Sequence, residues 1–196
     1  MTVDPAIRSR RDELLDAAVE HVVEHGYADL SFRTLAAGLG VAHNSLTHHF
    51  GTRAQLIDAI ARRMREQTQA ALAIDDPELT PAGLLRAYWA QATASDRLSL
   101  WISFFEFYAR ALRDQQTHAD YLGEVTAAWI RPIAARAEAA GLDVDRALSL
   151  ATLVTGAVRG LLLDRLAASD PARVDAAFEL LVDSLEAIAL SVPATT

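Results

Sequence analysis

The chain has 196 residues, of which 52% are hydrophobic, and this suffices for one medium-sized or two small domains with a sizeable core. It contains no cysteine, which excludes disulfides and thiolate metal sites. The first residues are too polar for a signal peptide, and the longest uncharged apolar stretch, residues 147–158, is too short to span a membrane. We therefore expect a soluble cytoplasmic protein. The formal net charge of −8 argues against nucleic acid as a partner, but residues 1–66 carry only −1 of it and residues 67–196 carry −7.

Residues 7–24 predict a first amphipathic helix. Leu14, Leu15, Ala18 and Val22 recur at helical spacing and form one apolar stripe. Gly26 follows this stripe, and glycine commonly ends a helix because it tolerates a left-handed backbone. The residues before this helix are predicted to be a frayed arm.

Residues 31–50, SFRTLAAGLGVAHNSLTHHF, predict two short helices joined by a tight turn. Ser31 is a good N-cap for the first of them, and Gly40 can take the left-handed conformation that ends it. In the second helix Leu46 and Phe50 are four residues apart and share the buried side. A helix-turn-helix presents its second helix to the major groove, so the outward side chains matter most. They are His43, Asn44, Ser45, Thr47 and His48.

This stretch and its flanks resemble the N-terminal domain of the TetR/AcrR family of bacterial transcription regulators. In that family a helix-turn-helix reading approximately Gly-Val-x-x-x-[Ser/Thr]-Leu-x-x-His-Phe is followed by Gly-[Ser/Thr]-[Lys/Arg] at the start of a fourth helix. The resemblance covers about residues 8–64 and implies an all-α fold of about nine helices. It implies a three-helix DNA-binding domain at residues 1–51, a linking fourth helix at about 52–66, and a ligand-binding and dimerisation domain at 67–196. The matching residues are Gly40, Val41, Ser45, Leu46, His49, Phe50, Gly51, Thr52 and Arg53.

The resemblance implies that the partner is double-stranded operator DNA. We expect His43, Asn44 and Ser45 to read bases, with Asn44 foremost because its amide can bond adenine bidentately. Thr47 stands where the family often has tyrosine, and its shorter side chain leaves that phosphate contact open. The predicted phosphate contacts are Arg33, Thr34, Thr47, His48 and Arg53.

Beyond residue 66, apolar periodicity and boundary signals predict five further helices. Thr80, which precedes Pro81, and Asp143 are predicted N-caps. Pro132 removes an amide inside a predicted helix, and we expect a kink there. Residues 74–79, IDDPEL, have the composition of a linker. The five helices are predicted at residues 81–94, 96–115, 118–140, 144–167 and from 171 onward.

The helix predicted at residues 96–115 is apolar over most of its circumference, so we expect it to be buried on several sides. One narrow polar stripe runs along it at steps of three and four residues. We expect Glu106 and Arg110 to pair on an open side of this helix. The stripe consists of Ser99, Ser103, Glu106, Arg110 and Arg113.

Aromatic residues concentrated between residues 88 and 129 are candidate walls of a small-molecule pocket, because such pockets are mostly apolar. Each of them is also explained as ordinary core. The set suggests an apolar or aromatic effector, with any acidic group meeting Arg110 or Arg159. The candidate wall residues are Trp89, Trp101, Phe104, Phe105, Tyr108, Tyr121 and Trp129.

The last two predicted helices are candidates for dimerisation, because in TetR relatives they form a four-helix bundle with their copies in a second subunit. Two glycines four residues apart would let another helix approach one face closely. The resemblance therefore implies a homodimer. The predicted interface residues are Gly156, Gly160, Leu161, Phe178, Leu181 and Leu185.

These features predict a ligand-responsive transcriptional regulator of the bacterial cytoplasm, a repressor that a small apolar or aromatic molecule releases from a palindromic operator. Two half-sites would lie about 34–36 Å apart. We expect no enzyme, metal or cofactor, because His48 and His49 are adjacent and no HExxH, Walker or GxSxG motif is present. Two alternatives stay open: an activator, and a helical small-molecule- or partner-binding dimer without DNA binding.

Overall fold

The computed structural model describes residues 9–27, 30–72 and 80–190. The predicted arm and the predicted linker lie outside these ranges. All regular secondary structure within them is helical, which confirms the all-α prediction, and a 3-10 turn, Ser95–Arg97, precedes the sixth α-helix. The α-helices found there are α1 (Arg10–His25), α2 (Phe32–Leu39), α3 (His43–Phe50), α4 (Arg53–Leu72), α5 (Pro81–Ala92), α6 (Leu98–Arg113), α7 (Ala119–Ala139), α8 (Val144–Ala167) and α9 (Pro171–Leu190).

Predicted helix boundaries are confirmed where the capping chemistry is local. The Ser31 hydroxyl accepts the amide of Thr34, and the Thr34 hydroxyl accepts the amide of Ser31, which forms a capping box at the start of α2. Thr80 and Asp143 cap α5 and α8 through their side chains, as predicted. Gly40 ends α2 with φ 65° and ψ 31°, the left-handed conformation expected of it.

The junction of α5 and α6 differs from the prediction. α5 ends at Ala92 instead of residue 94, and α6 begins at Leu98 instead of residue 96. The indole N–H of Trp101 donates to the carbonyl of Ala92 at 2.8 Å, and the Thr93 hydroxyl donates to the carbonyl of Trp89 at 2.7 Å. The Trp101 side chain thus binds a carbonyl at the end of α5, and the Trp89 carbonyl accepts both the hydroxyl and the amide of Thr93.

Backbone packing divides the chain into two compact units. The first unit comprises Met1–Ala71 and Ile102–Tyr121, and the second comprises Leu72–Trp101 and Leu122–Thr196. Since each boundary falls inside a helix, α6 and α7 contribute to both units, and α4 contributes its last residue, Leu72, to the second. The functional division predicted after residues 51 and 66 stays a prediction.

The first unit has an apolar core supplied by α1 to α4 and the C-terminal part of α6. Gly38 allows α2 to approach α1 closely, because a Cβ at this position would lie 2.6 Å from the His21 ring. The Tyr27 hydroxyl donates to Met64 Sδ at 3.2 Å, and burial raises the pKa of Tyr27. The largest fully buried side chains here are Val22, Tyr27, Leu35, Leu46, Leu56, Ile57, Ile60 and Phe107.

The second unit is organised around α9, which packs on α5 and α8. The ring of Trp89 stacks on Phe178 with centroids 4.3 Å apart, and its indole N–H donates to Asp175 at 2.9 Å. Arg165 donates to the same carboxylate at 2.8 Å, and its hydrogen bond lowers the pKa of Asp175. This network joins three helices of the second unit.

Helix α8 has an apolar face that is exposed in the described part of the chain. Within the described ranges it is the one helix long and apolar enough to cross a membrane, with 28% of its most apolar 18-residue window buried. The prediction from residues 147–158 considered only the uncharged stretch, whereas the whole helix meets this criterion of length and composition. Its large exposed apolar side chains are Val144, Leu148, Leu153 and Leu163.

Candidate DNA-binding surface and ligand sites

Helices α2 and α3 form a helix-turn-helix whose second helix turns its polar side outward. The amide of Val41 donates to the carbonyl of Ala36 at 3.0 Å and closes the turn. On the inner side of α3, Leu46 is 0% and Phe50 is 5% exposed, which holds the helix against the core. Ser45 is half-buried, and the exposed residues of the outer side are His43, Asn44, Thr47 and His48.

An arginine of α1 contacts the C-terminal end of α3. The guanidinium of Arg11 lies 5.3 Å from the centroid of the Phe50 ring, and Arg11 Nε donates to the carbonyl of His49 at 3.4 Å. The His49 ring is half-buried and edge-on to Phe50, with centroids 6.4 Å apart. The sequence prediction omitted Arg11 from the site; the basic cluster at the start of α1 was its sole sequence signal.

Two predicted phosphate contacts already use their hydroxyl protons within the chain. The Thr47 hydroxyl donates to the carbonyl of His43 at 3.2 Å, one turn earlier in α3. The Thr34 hydroxyl donates to the carbonyl of Ser31 at 3.1 Å, beside the capping box. Because phosphate oxygens accept hydrogen bonds, each hydroxyl must turn away from its present acceptor to bind DNA.

Arg53, one of the two arginines predicted to contact phosphates, lies at the start of α4. Thr52 and Gln55 form a reciprocal cap, in which Gln55 accepts the Thr52 amide at 2.8 Å and Thr52 accepts the Gln55 amide at 3.3 Å. Arg53 Nε donates to the carbonyl of Leu30 at 2.7 Å. This bond uses one of the five guanidinium N–H groups, so Arg53 retains further donors. Arg33, on α2, is exposed.

Two residues of the polar stripe of α6 bind backbone groups inside the first unit. Ser103 is 2% exposed and its hydroxyl donates to the carbonyl of Val22 at 3.4 Å. The carboxylate of Glu106 accepts the amide of Tyr27 at 3.2 and 3.3 Å. Glu106 and Arg110 are both exposed, as the predicted open side requires, but no hydrogen bond or ion pair joins them, so the predicted pairing is not found. The Val22 carbonyl also accepts the amide of Gly26 at 2.7 Å, so Ser103 adds a second donor to it, whereas Glu106 supplies the acceptor for the Tyr27 amide just beyond the end of α1.

The seven predicted pocket residues do not belong to one compact unit. Trp89 and Trp101 are 6% and 4% exposed, and their indole N–H groups donate to Asp175 and to the carbonyl of Ala92, as in a packed core. The second unit contains Trp89, Trp101 and Trp129, whereas the first contains Phe104, Phe105, Tyr108 and Tyr121.

An aromatic pair of the second unit lies near a predicted ligand-binding cation. The rings of Tyr88 and Trp129 meet edge to face with centroids 5.4 Å apart. Burial raises the pKa of Tyr88, and the positive charge of Arg159 acts in the opposite direction. Arg159 is thus within electrostatic range of the Tyr88 hydroxyl. The seven predicted pocket residues did not include Tyr88.

A groove of about 260 Å³ lies within the first unit, where α4 begins and α6 ends. No predicted pocket aromatic lines it. At its base, His118 Nδ1 lies 2.8 Å from Asp58 Oδ1. The groove is lined by Arg53, Ala54, Ile57, Arg110, Arg113, Asp114, Thr117 and His118.

The predicted dimer residues differ in their exposure. Gly156 and Gly160 are exposed, and a Cβ at either would have no atom of another element within 4 Å. Phe178 is 0% exposed and stacked on Trp89, so it belongs to the core of the second unit and presents no surface to a second subunit. The half-buried members are Leu161, Leu181 and Leu185.

Known proteins share both the motif and the fold. A family model described as bacterial regulatory proteins, tetR family, matches residues 14–60. The chain is 36% identical over 56 residues to the HTH-type transcriptional repressor KstR2 of Mycobacterium tuberculosis, a match that spans 29% of this chain and only 28% of KstR2.

Two solved structures extend the likeness over nearly the whole chain. A transcriptional regulator of Rhodococcus sp. RHA1 has a TM-score of 0.80 at 22% identity, covering 94% of this chain and 100% of its own, so the fold is shared. The multidrug binding protein EbrR, solved in complex with ethidium, is 30% identical with a TM-score of 0.66, covering 89% of this chain and 98% of its own.

Proposed function

The chain belongs to the TetR family of bacterial transcription regulators, and from this premise we propose that it is a homodimeric repressor that a small apolar or aromatic effector releases from a palindromic operator. KstR2, which matches the helix-turn-helix region, is named as a repressor. We place the protein in the bacterial cytoplasm, with the apolar face of α8 covered by a second subunit.

The main support for the proposal is the exposure of polar side chains on the outer face of α3. Asn44 is exposed there, and its amide offers the donor and acceptor that adenine requires. Arg33 and Arg53 are exposed on the two neighbouring helices and suit phosphate binding. The remaining contacts in the proposal are His43, Ser45 and His48, with Thr34 and Thr47 joining once their hydroxyls turn to DNA.

The proposed dimer rests on the surface of α8 and α9. Leu153, Leu163 and Leu180 are 55%, 51% and 68% exposed, which is unusual for large apolar side chains unless a partner covers them. Gly156 and Gly160 leave the backbone of α8 open to close approach by another helix.

The proposed effector site lies around Tyr88, Trp129 and Arg159 in the second unit. Aromatic walls with a few polar groups are typical of small-molecule pockets, and ethidium, the ligand solved with EbrR, is a flat aromatic molecule. A molecule that binds the non-operator conformation better would release DNA by population shift.

The DNA proposal is tested by fluorescence anisotropy of the full chain on DNA from just upstream of its own gene, against a shuffled duplex, over a salt series. We expect preference for the upstream DNA and affinity that falls linearly in log salt. Equal or absent binding to both duplexes would contradict autoregulation and favour the alternative of a helical binding dimer.

The dimer proposal is tested by light scattering of the Gly160→Leu variant. The added side chain would keep a second helix away from α8, so we expect a shift from dimer to monomer at equal protein concentration. Gly123→Leu is the matched control, because Gly123 is an exposed glycine of α7 whose Cβ would also meet open space. A Gly160→Leu dimer as stable as the control would contradict the interface.

A further inference from the structure

We propose that the groove at the start of α4 binds a small oxyanion, the carboxylate or phosphate group of a small molecule, and that its occupancy weakens DNA binding. The binding step concerns the first unit alone. The effect on DNA rests on the function proposed above.

The groove is electropositive in a chain that is acidic overall. Arg53, Arg110 and Arg113 line it, against the single carboxylate of Asp114, while the net charge of the chain is −8. Asp114 Oδ1 accepts the amide of Thr117 at 3.3 Å, so this oxygen is bound to the backbone after α6. Arg110 and Arg113 form no hydrogen bond or ion pair with any residue in the described part of the chain. Two guanidinium groups are thus available to a ligand.

The shape favours a small anion over a segment of duplex backbone. The groove has about 260 Å³, close to the lower end of ligand pockets at roughly 300 Å³. Two of its lining residues are buried: Ile57 is 2% exposed, and His118 is 6% exposed and bound to Asp58. DNA phosphates are reached by protruding side chains, whereas planar guanidinium groups around a recess can converge on one carboxylate or phosphate.

Arg53 connects the groove with the predicted DNA surface. Its Nε donates to the carbonyl of Leu30 at 2.7 Å, and this bond fixes the position of the guanidinium. The remaining N–H donors of Arg53 can bind either an anion in the groove or a DNA phosphate. An anion in the groove would therefore compete with DNA for the same guanidinium.

Binding is tested by calorimetric titration with inorganic phosphate and with citrate, at constant ionic strength maintained with chloride. We expect the double variant Arg110→Gln/Arg113→Gln to bind the preferred anion at least roughly tenfold more weakly than the unmodified chain. Arg131→Gln, an exposed arginine of α7 outside the groove, is the matched control and should bind normally. Tighter binding of phosphate or of citrate shows whether the site prefers a phosphate or a carboxylate group. Undiminished binding by the double variant, or no binding by the unmodified chain, overturns the proposal.

The effect on DNA is tested by anisotropy in phosphate and in chloride at equal ionic strength. We expect phosphate or citrate to weaken DNA binding several-fold in the unmodified chain and not in the double variant, which should bind DNA normally in chloride. A double variant with weakened DNA binding and a smaller salt slope would mean that the groove holds a DNA phosphate, which overturns the proposal. If the unmodified chain binds no DNA, the proposed function fails, and the calorimetry still decides the anion site.

Discussion

Helices α3 and α6 each carry a polar stripe beside an apolar face, and the two stripes differ in what their members contact. In α3 the stripe is exposed, and Asn44 and His48 lie open to solvent. In α6 the stripe is divided: Ser103 and Glu106 bind backbone groups at the end of α1, whereas Arg110 and Arg113 are exposed and line the groove. The comparison shows that the members of a polar stripe that remain available to a ligand depend on the groups that the protein places opposite each of them.

The largest expected effect tests whether the C-terminal part of α6 belongs to the first unit. Phe107 is 1% exposed and its ring contacts Tyr27, Tyr121 and His118 at centroid distances of 5.4, 4.6 and 5.4 Å. Phe107→Ala should lower the free energy of unfolding by about 3–5 kcal/mol, since it leaves a cavity. Urea denaturation at fixed protein concentration measures this. Leu112→Ala, 46% exposed on the same helix, is the control, and equal losses in both variants would contradict the assignment.

The next effect tests the outward stripe of α3. Asn44→Ala should remove about 1–3 kcal/mol of discrimination between the operator and an operator mutated at the contacted adenine. Its free energy of unfolding should change by less than about 0.5 kcal/mol, because the side chain is exposed. Competition anisotropy provides the ratio of affinities. Arg53→Ala should weaken both duplexes alike, and an unchanged ratio in Asn44→Ala would refute base reading by Asn44.

A smaller effect tests the part of the α6 stripe that binds the backbone. Glu106→Ala removes the acceptor of the Tyr27 amide and should lower the free energy of unfolding by about 1 kcal/mol. Hydrogen exchange of that amide should become faster. Glu106→Gln keeps a carbonyl acceptor and should show a smaller change in both measurements. Unaltered exchange at Tyr27 in Glu106→Ala would show that the bond does not contribute.

The smallest expected effect is a pH dependence near the end of α1. Burial lowers the pKa of His21 below 6.5, and His25, whose ring stacks on it at 4.3 Å, lowers it further. The unfolded chain therefore binds this proton more readily, so stability is complete above pH 6.5 and declines as the pH falls below it.

Thermal denaturation between pH 7.5 and 5 measures this dependence. His21→Gln should flatten the curve, whereas His48→Gln, on the exposed face of α3, should leave it unchanged. The same slope in His21→Gln as in the unmodified chain would assign the dependence to other groups.

Much of the candidate DNA surface was predictable because its determinants are close in the chain. Asn44 and Leu46 take opposite sides of α3 by helical periodicity alone. Arg11 was not predictable as a support of α3, because its contact with Phe50 joins residues 39 positions apart. Phe178 was misjudged for a related reason: periodicity places it on an apolar seam, and only the stacked ring of Trp89 decides that the seam faces inward at that residue.

The sequence by itself determined the all-α fold, the capped starts of α2, α5 and α8, the left-handed end of α2 and the helix-turn-helix with its family. These depend on caps and periodicities within a few residues, where backbone sterics and local hydrogen bonds dominate. Only the tertiary structure decided which side of α6 is satisfied, how the aromatic residues divide between the two units, and that arginines of α4 and α6 share a groove. Each of these depends on which groups distant segments bring opposite one another, and a single stretch of sequence does not contain that information.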